Sequence, residues 1–277
     1  MKKILLVLSI YLPALLFCDA SPPPWVVYYG NKAAPEVFSS YNPIIFDNMS
    51  HPSLTPLLQE KKTLLGYLNM TEAEDRLPWF PDIKAQGILI RENTDWKGSW
   101  VVDIRNPFWS ELLLNKIIPN ILTQGFSGLF LDQLDLVLDL EKKDPKHYQG
   151  MEEAAVALVK AIHEKYPKID LMMNRAYEIL PHVGRAINFE LAETLYTSYN
   201  FATKQYYVRP KHEFEWQLAQ LNKARLLFPK LIIFSLDYWD PKDQEMYRKI
   251  YSIERENHIR PYVTTPSLDE VYPEPKS

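Results

Sequence analysis

The sequence predicts a single α/β domain, a (β/α)8 TIM barrel, and three observations carry that expectation. Eight short apolar runs recur along the chain, amphipathic helical patterns or long loops separate them, and acidic residues gather where several of the runs end. The length of 277 residues suits one such barrel, whose typical size is about 250. With 47% hydrophobic and 24% charged residues, the chain has the apolar mass for a large core, which excludes disorder.

Residues 1–20 have the layout of a secretory signal. Lys2 and Lys3 precede an apolar run over 4–17, and small and polar residues follow. That run is shorter than the ~20 apolar residues of a membrane span. The only cysteine, Cys18, sits at its end. Cleavage after Ala20 would discard Cys18, whereas a lipoprotein-type signal would make it the lipid-bearing first residue. The expected location is therefore secreted or periplasmic, with membrane attachment only if Cys18 is lipidated. The rest of the chain holds no cysteine, so it has neither an internal disulfide nor a thiolate for catalysis.

Beyond Pro22-Pro23-Pro24 the expected strands are residues 25–30, 43–48, 63–69, 128–132, 169–174, 187–197, 231–238 and 259–264. Helical spacing marks 107–123, 151–166, 213–228 and 242–256; in the second of these the stripe is Ala154, Ala155, Leu158, Val159 and Ile162. Asn106 and Pro107 form a start signal, Pro167 and Pro229 follow helix ends, and Pro119 should kink the first helix. An open doubly wound sheet is the rival architecture. It calls for a glycine-rich phosphate turn after its first strand, and Gly30-Asn31-Lys32-Ala33 is not one. No linker interrupts 25–265, which reads as one domain followed by a Pro-rich tail over 266–277. Residues 69–104, with Trp79, Trp96 and Trp100, are too many for a plain connection, so they form an elaborated loop after strand three, over the active face.

In a parallel barrel the C-terminal strand ends open onto one face. That face collects Asp47 after strand two, Asp132 and Asp135 after strand four, Glu193 on strand six, and Asp237 and Asp240 after strand seven. Tyr28, Tyr29, Tyr67, Tyr196, Tyr238 and Trp239 fall at similar depths. Paired carboxylates with flat aromatic surfaces suit a sugar, because one acid protonates the leaving oxygen while the other attacks or activates water. Asp132 ends an apolar strand, where an unpartnered carboxylate is expensive, and its bland alternative is a structural pair with Arg175. On strand six, Glu190 and Glu193 lie on opposite faces, so only one of them enters the barrel. Asp135, Asp237 and Asp240 read as supporting or helix-capping acids, Asp240 before Pro241 resembling an N-cap.

Other chemistries find no support. The formal charge of −4 and the lack of a basic patch argue against nucleic acid. The six histidines have no metal-ligand spacing, and there is no Gly-x-Ser-x-Gly elbow, so neither metal nor cofactor is expected.

Several segments together resemble one family. They are Gly66-Tyr67-Leu68-Asn69-Met70-Thr71-Glu72-Ala73-Glu74, the stretch from Trp96-Lys97-Gly98-Ser99-Trp100 through Asp103-Ile104-Arg105-Asn106-Pro107-Phe108-Trp109, and the Gly-Phe-x-Gly-x-x-x-Asp-x-x-Asp run from Gly125 to Asp135. Asn174, Ala192-Glu193-Thr194-Leu195-Tyr196 and Leu236-Asp237-Tyr238 match more weakly. The chain thereby resembles glycoside hydrolase family 114, TIM barrels whose characterised members are endo-α-1,4-polygalactosaminidases. The resemblance implies Asp132 as nucleophile and Glu193 as acid/base, settling strand six in favour of Glu193. Tyr28, Asp47, Tyr67, Trp100, Asp135, Asn174, Tyr196, Asp237 and Tyr238 are the candidate substrate-binding residues around them. The expected activity is retaining cleavage of a galactosamine-containing polysaccharide, whose positive charge an acidic cleft would attract. The alternative is a non-catalytic exopolysaccharide-binding surface protein on the same barrel. One departure, Asn69-Met70-Thr71-Glu72 in place of a Ser-x-Gly-Glu type of sequence, bears on the rim.

Overall fold

The computed structural model describes residues 22–275; the signal assigned to 1–20, with Cys18, lies outside the described residues. In chain order the strands are β1 (Val26–Tyr28), β2 (Ile44–Phe46), β3 (Leu64–Asn69), β4 (Glu72–Glu74), β5 (Leu89–Glu92), β6 (Ser99–Val102), β7 (Gly128–Asp132), β8 (Asp170–Asn174), β9 (Phe189–Glu193), β10 (Thr197–Asn200), β11 (Gln205–Val208), β12 (Ile232–Tyr238) and β13 (Arg260–Thr264). Eight of them pair in parallel in the order β1-β2-β3-β7-β8-β9-β12-β13, a (β/α)8 barrel. The seam between β1 and β13 is closed by single contacts instead of a ladder. The Trp25 indole donates to the Arg260 carbonyl at 2.9 Å, and the Tyr29 amide donates to the Leu268 carbonyl at 2.6 Å. The described part of the Pro-rich tail therefore returns to the barrel mouth.

Each barrel strand falls on one of the apolar runs, because a strand buried on both faces needs a near-continuous apolar sequence. The run over 187–197 is the exception. β9 stops at Glu193, Thr194 takes φ +52°, and the chain restarts at Thr197 as an antiparallel hairpin of β10 and β11. The excursion after β3 is an antiparallel sheet in the order β4-β6-β5, with the short helix Phe80–Ala85.

Two glycines in the Gly125-Phe126-Ser127-Gly128 approach to β7 have separate reasons. Gly125 sits at φ +111°, a region L side chains rarely adopt. At Gly128 a Cβ would fall 2.1 Å from the Asp170 carbonyl oxygen, so only glycine lets β7 and β8 meet at their start. The helix over Pro107–Leu112 is capped by Asn106, whose side chain accepts the Phe108 amide at 2.9 Å. The kink expected at Pro119 takes the form of a π-helical turn over Leu113–Ile117 that precedes Ile118–Leu122. Proline has no N–H for the carbonyl four residues back, and widening the turn before it accommodates the loss. The closed end of the barrel is filled by large rings, Trp25 meeting Phe234 and Tyr262 edge-on at 5.3 and 5.6 Å.

Candidate active site

Alternation along the strands decides which side chains enter the barrel. Phe130 and Asp132 of β7, Leu191 and Glu193 of β9, and Leu236 and Tyr238 of β12 turn inward, and Asn174 of β8 joins them. The residue after each of three strand ends lies in the left-handed region: Gln133 at φ +68°, Arg175 at +55° and Thr194 at +52°. None is glycine, and Thr194 is β-branched, so each turn costs about 1–3 kcal/mol. The sharp turn leaves Asp132, Asn174 and Glu193 as the last side chains of their strands. Packing holds the turn at Thr194: its amide donates to the Leu236 carbonyl at 2.7 Å, and its carbonyl accepts from the Gln217 side chain at 3.1 Å.

Asn174 joins the two carboxylates. Its Nδ2 donates to Asp132 Oδ1 at 2.8 Å and to Glu193 Oε2 at 2.7 Å. Both hydrogens of one amide nitrogen are engaged, so the two acceptor oxygens lie about 5 Å apart and no more than about 5.5 Å. The Tyr238 hydroxyl donates to the other Glu193 oxygen at 2.6 Å, and Tyr67 presents its hydroxyl to Asp132. Burial first, and then the charge of Glu193, push Asp132 up to about 7, while the Asn174 bond pulls it down. Asp132 therefore keeps its proton to higher pH than an ordinary carboxyl. Burial and the neighbouring carboxylates raise Tyr29, Tyr67 and Tyr238 well above the ordinary phenol value, so all three stay protonated donors.

The pair opens into a cavity of about 730 Å³. Asp47, Glu72, Glu74, Asp75 and Asp95 join the pair on its walls, against two cations, Arg76 and Lys97. Glu72 is held by three neutral donors, the side chains of Asn69 (3.3 Å), Asn93 (2.7 Å) and Ser99 (2.9 Å). The departure at Thr71 has a structural use, since its hydroxyl donates to the Gln133 carbonyl at 2.8 Å and ties the strand-three loop to the turn after Asp132. Among the described residues, no group of three His, Cys, Asp or Glu side chains is placed to hold a metal ion.

The sequence matches the model of the Glycoside-hydrolase family GH114 over residues 25–277. The chain belongs to glycoside-hydrolase family GH114. By that membership it is a glycosidase. Among solved structures, the GH114 barrel is similar to the glycoside hydrolase domain of PelA from Pseudomonas aeruginosa, with a TM-score of 0.79 and 22% identity, covering 91% of this chain and 99% of that one. It is also similar to Aspergillus fumigatus Ega3 in complex with galactosamine (TM-score 0.62, 14% identity, 89% and 92% covered). A more distant likeness is to a Thermus thermophilus α-galactosidase (0.53, 10% identity, 88% and 58% covered). At these identities the likeness is one of fold. A search of curated proteins finds no match.

The GH114 site draws on only part of the acidic and aromatic ring that the sequence suggests. Asp47, Tyr67, Asp132, Glu193 and Tyr238 line the cavity, and Asn174 lies directly beneath the pair. Tyr28 does not reach it. Its ring packs outward on Phe38 and Phe46, its hydroxyl accepts the Ala33 amide, and Tyr29 takes the inward position one residue later. Trp100 also faces away, because Ser99, its neighbour on β6, is the one that meets Glu72 and the cavity. Tyr196, beyond the turn at Thr194, packs on Phe214 with centroids 5.4 Å apart.

Asp135 lies in the first turn of the helix Leu134–Lys143 and pairs with Arg175 at 3.5 Å, so Arg175 belongs to Asp135 and not to Asp132. Asp237 is buried on the outer face of β12. One of its oxygens accepts the Tyr196 and Thr197 amides and the Thr197 hydroxyl, and its carboxyl meets that of Glu254. Capping of the helix Gln244–Glu256 falls to Asp243, which accepts the Met246 amide at 3.1 Å, instead of Asp240. Glu190 faces outward too. Tyr29, from the expected aromatic ring, and Trp96, from the loop expected over the active face, line the cavity, together with Tyr199 and Phe201, which the sequence does not single out. Tyr199 and Phe201 depend on a hairpin that has no turn glycine.

Proposed function

We propose that this GH114 enzyme is a retaining glycosidase that cleaves a galactosamine-containing polysaccharide. The observation that carries the mechanism is the single Asn174 amide nitrogen shared by Asp132 and Glu193, which limits their facing oxygens to about 5.5 Å. Retaining glycosidases separate their carboxyls by about 5–5.5 Å, whereas inverting enzymes leave about 6.5–9.5 Å to admit a water. In the first step Asp132 attacks the anomeric carbon, the glycosidic bond breaks, and Glu193 gives its proton to the departing oxygen. In the second, Glu193 takes a proton from water, whose oxygen displaces Asp132 from the anomeric carbon and restores both carboxyls. The Asn174 and Tyr238 bonds hold the carboxyls in place between steps.

Support for the amino sugar comes from the wall of the cavity. Seven carboxylates face two cations there, a field that concentrates a polycation and repels an anionic polymer. Ega3, solved with galactosamine, shares the barrel. Export, from the signal-like residues 1–20, is part of the same proposal, and mass spectrometry of the native N-terminus distinguishes cleavage after Ala20 from lipidation of Cys18.

The test is digestion of polygalactosamine and of its partly acetylated form. Wild type should release oligosaccharides whose new ends keep the starting anomeric configuration by proton NMR. Asp132→Asn and Glu193→Gln should each lose at least about 10³-fold in kcat. Inverted product ends would refute the mechanism. Binding of the polymer without any release of fragments would favour the non-catalytic alternative.

A further inference from the structure

Five aromatic rings form a continuous file that begins in the cavity and leaves it along the rim. Trp96, on the excursion after β3, meets Phe201 at the tip of the β10–β11 hairpin with centroids 6.1 Å apart. Phe201 meets Tyr199 at 5.2 Å. Tyr199 stands opposite Tyr206 in the hairpin register, at 4.9 Å, and Tyr206 meets Trp239, just past β12, at 5.8 Å. Trp96, Tyr199 and Phe201 line the same cavity as Asp132 and Glu193; Tyr206 and Trp239 extend the file beyond it.

Tyr199, Tyr206 and Trp239 are half-buried against the core, but core packing does not account for the two rings at the cavity end. Trp96 is 59% and Phe201 61% exposed, on arms that rise from opposite sides of the barrel and meet through these two rings. Exposed large apolar rings grouped at a cavity mouth mark a binding surface. Carboxylates outnumber cations around them: Asp95 and Lys97 flank Trp96 on a wall of seven carboxyl groups and two cations, and Asp243 accepts the Trp239 indole N–H at 3.0 Å. Rings that stack on a nucleic acid come with cations along the backbone path, whereas these come with acids. Rings with acids fit a chain that has apolar sugar faces and positive charge.

We propose that the file Trp96–Phe201–Tyr199–Tyr206–Trp239 is an extended glycan-binding track, which holds sugar units beyond the cleavage point and makes the long polymer, rather than a short oligosaccharide, the preferred substrate. This rests on the amino-sugar glycosidase reading of the site.

The test is native electrophoresis in gels containing soluble polygalactosamine, together with the ratio of kcat/KM on polymer to that on a galactosamine disaccharide bearing an aryl leaving group. Trp96→Ala/Phe201→Ala removes two exposed rings with little risk to the fold; Tyr206→Ala/Trp239→Ala probes the distal end, and Tyr206→Phe/Trp239→Phe keeps its rings. Each alanine pair should weaken retardation and lower the ratio about tenfold or more, and the phenylalanine pair should restore both. Alanine pairs that bind polymer as wild type does, with an unchanged ratio, overturn the track. If wild type is retarded but cuts nothing, the hydrolase reading fails, and the gel series still decides the track. A wild type that neither binds nor cuts this polymer overturns both.

Discussion

At the residue scale the site turns on Asn174. A side chain of no catalytic chemistry sets the distance between two carboxylates, because both of its amide hydrogens are committed. Asn174→Ala should lower kcat about 10²-fold with a smaller change in KM, since loosening a carboxylate by an ångström costs about that much. It should also move Asp132 further up, because the Asn174 bond is what pulls it down. The pH profile follows from the same pair. Asp132 must be ionised to attack, so the wild-type rate should climb with pH through a midpoint near about 7. In Glu193→Gln the negative charge that raises Asp132 is gone. With an activated aryl leaving group, the rate of that variant should climb with pH through a midpoint below the wild-type value. A midpoint at or above it would contradict the proximity of the two groups.

At the scale of elements, the outer layer behind β12 has its own carboxyl pair. Asp237 and Glu254 are fully buried between β12 and the helix Gln244–Glu256, Glu254 also accepting the Ser235 hydroxyl. Burial raises Asp237, and burial together with the charge of Asp237 raises Glu254 well above the carboxylate range, so Glu254 carries a proton. A raised folded-state pKa means that the folded protein holds protons the unfolded chain has released. The stabilisation is complete below the ordinary carboxylate values and is lost as pH rises through the folded ones. The Tm of wild type should therefore fall as pH rises above the ordinary carboxylate range, and the fall should be shallower in Glu254→Gln, which keeps the shape without the ionisation. Equal slopes in the two proteins would assign the pH dependence elsewhere. This pair also anchors the chain entering β10, and Tyr238, one residue beyond Asp237, holds Glu193 in place.

For the whole molecule, the charge of the cavity matters more than the charge of the chain. A formal −4 spread over 277 residues is unremarkable, but seven carboxylates against two cations around one cavity make a focused field. On deacetylated polymer kcat/KM should fall steeply as ionic strength rises from about 0.01 to 0.15 M, where the screening length shrinks from about 30 to 8 Å. On the fully acetylated, uncharged polymer it should be nearly flat. Similar salt dependence on both would remove the electrostatic argument for an amino sugar.

The eight strands, their order and Asp132 at the tip of the fourth were legible in the sequence, because burial on both faces forces apolar runs and a carboxylate ending one is conspicuous. Assignment of Glu193 over Glu190 required the family resemblance, since alternation allows either until the inward face is known. What only the tertiary structure decided is which members of the acidic and aromatic ring meet. Tyr28 and Tyr29 differ by one residue and by the whole thickness of the wall, and Asp237 and Tyr238 likewise. The left-handed turns at Gln133, Arg175 and Thr194 use no glycine, and the contact of Trp96 with Phe201 joins positions 105 residues apart. A one-dimensional pattern carries hydrophobic period and strand order, whereas inward direction and long-range contact come from closure of the barrel.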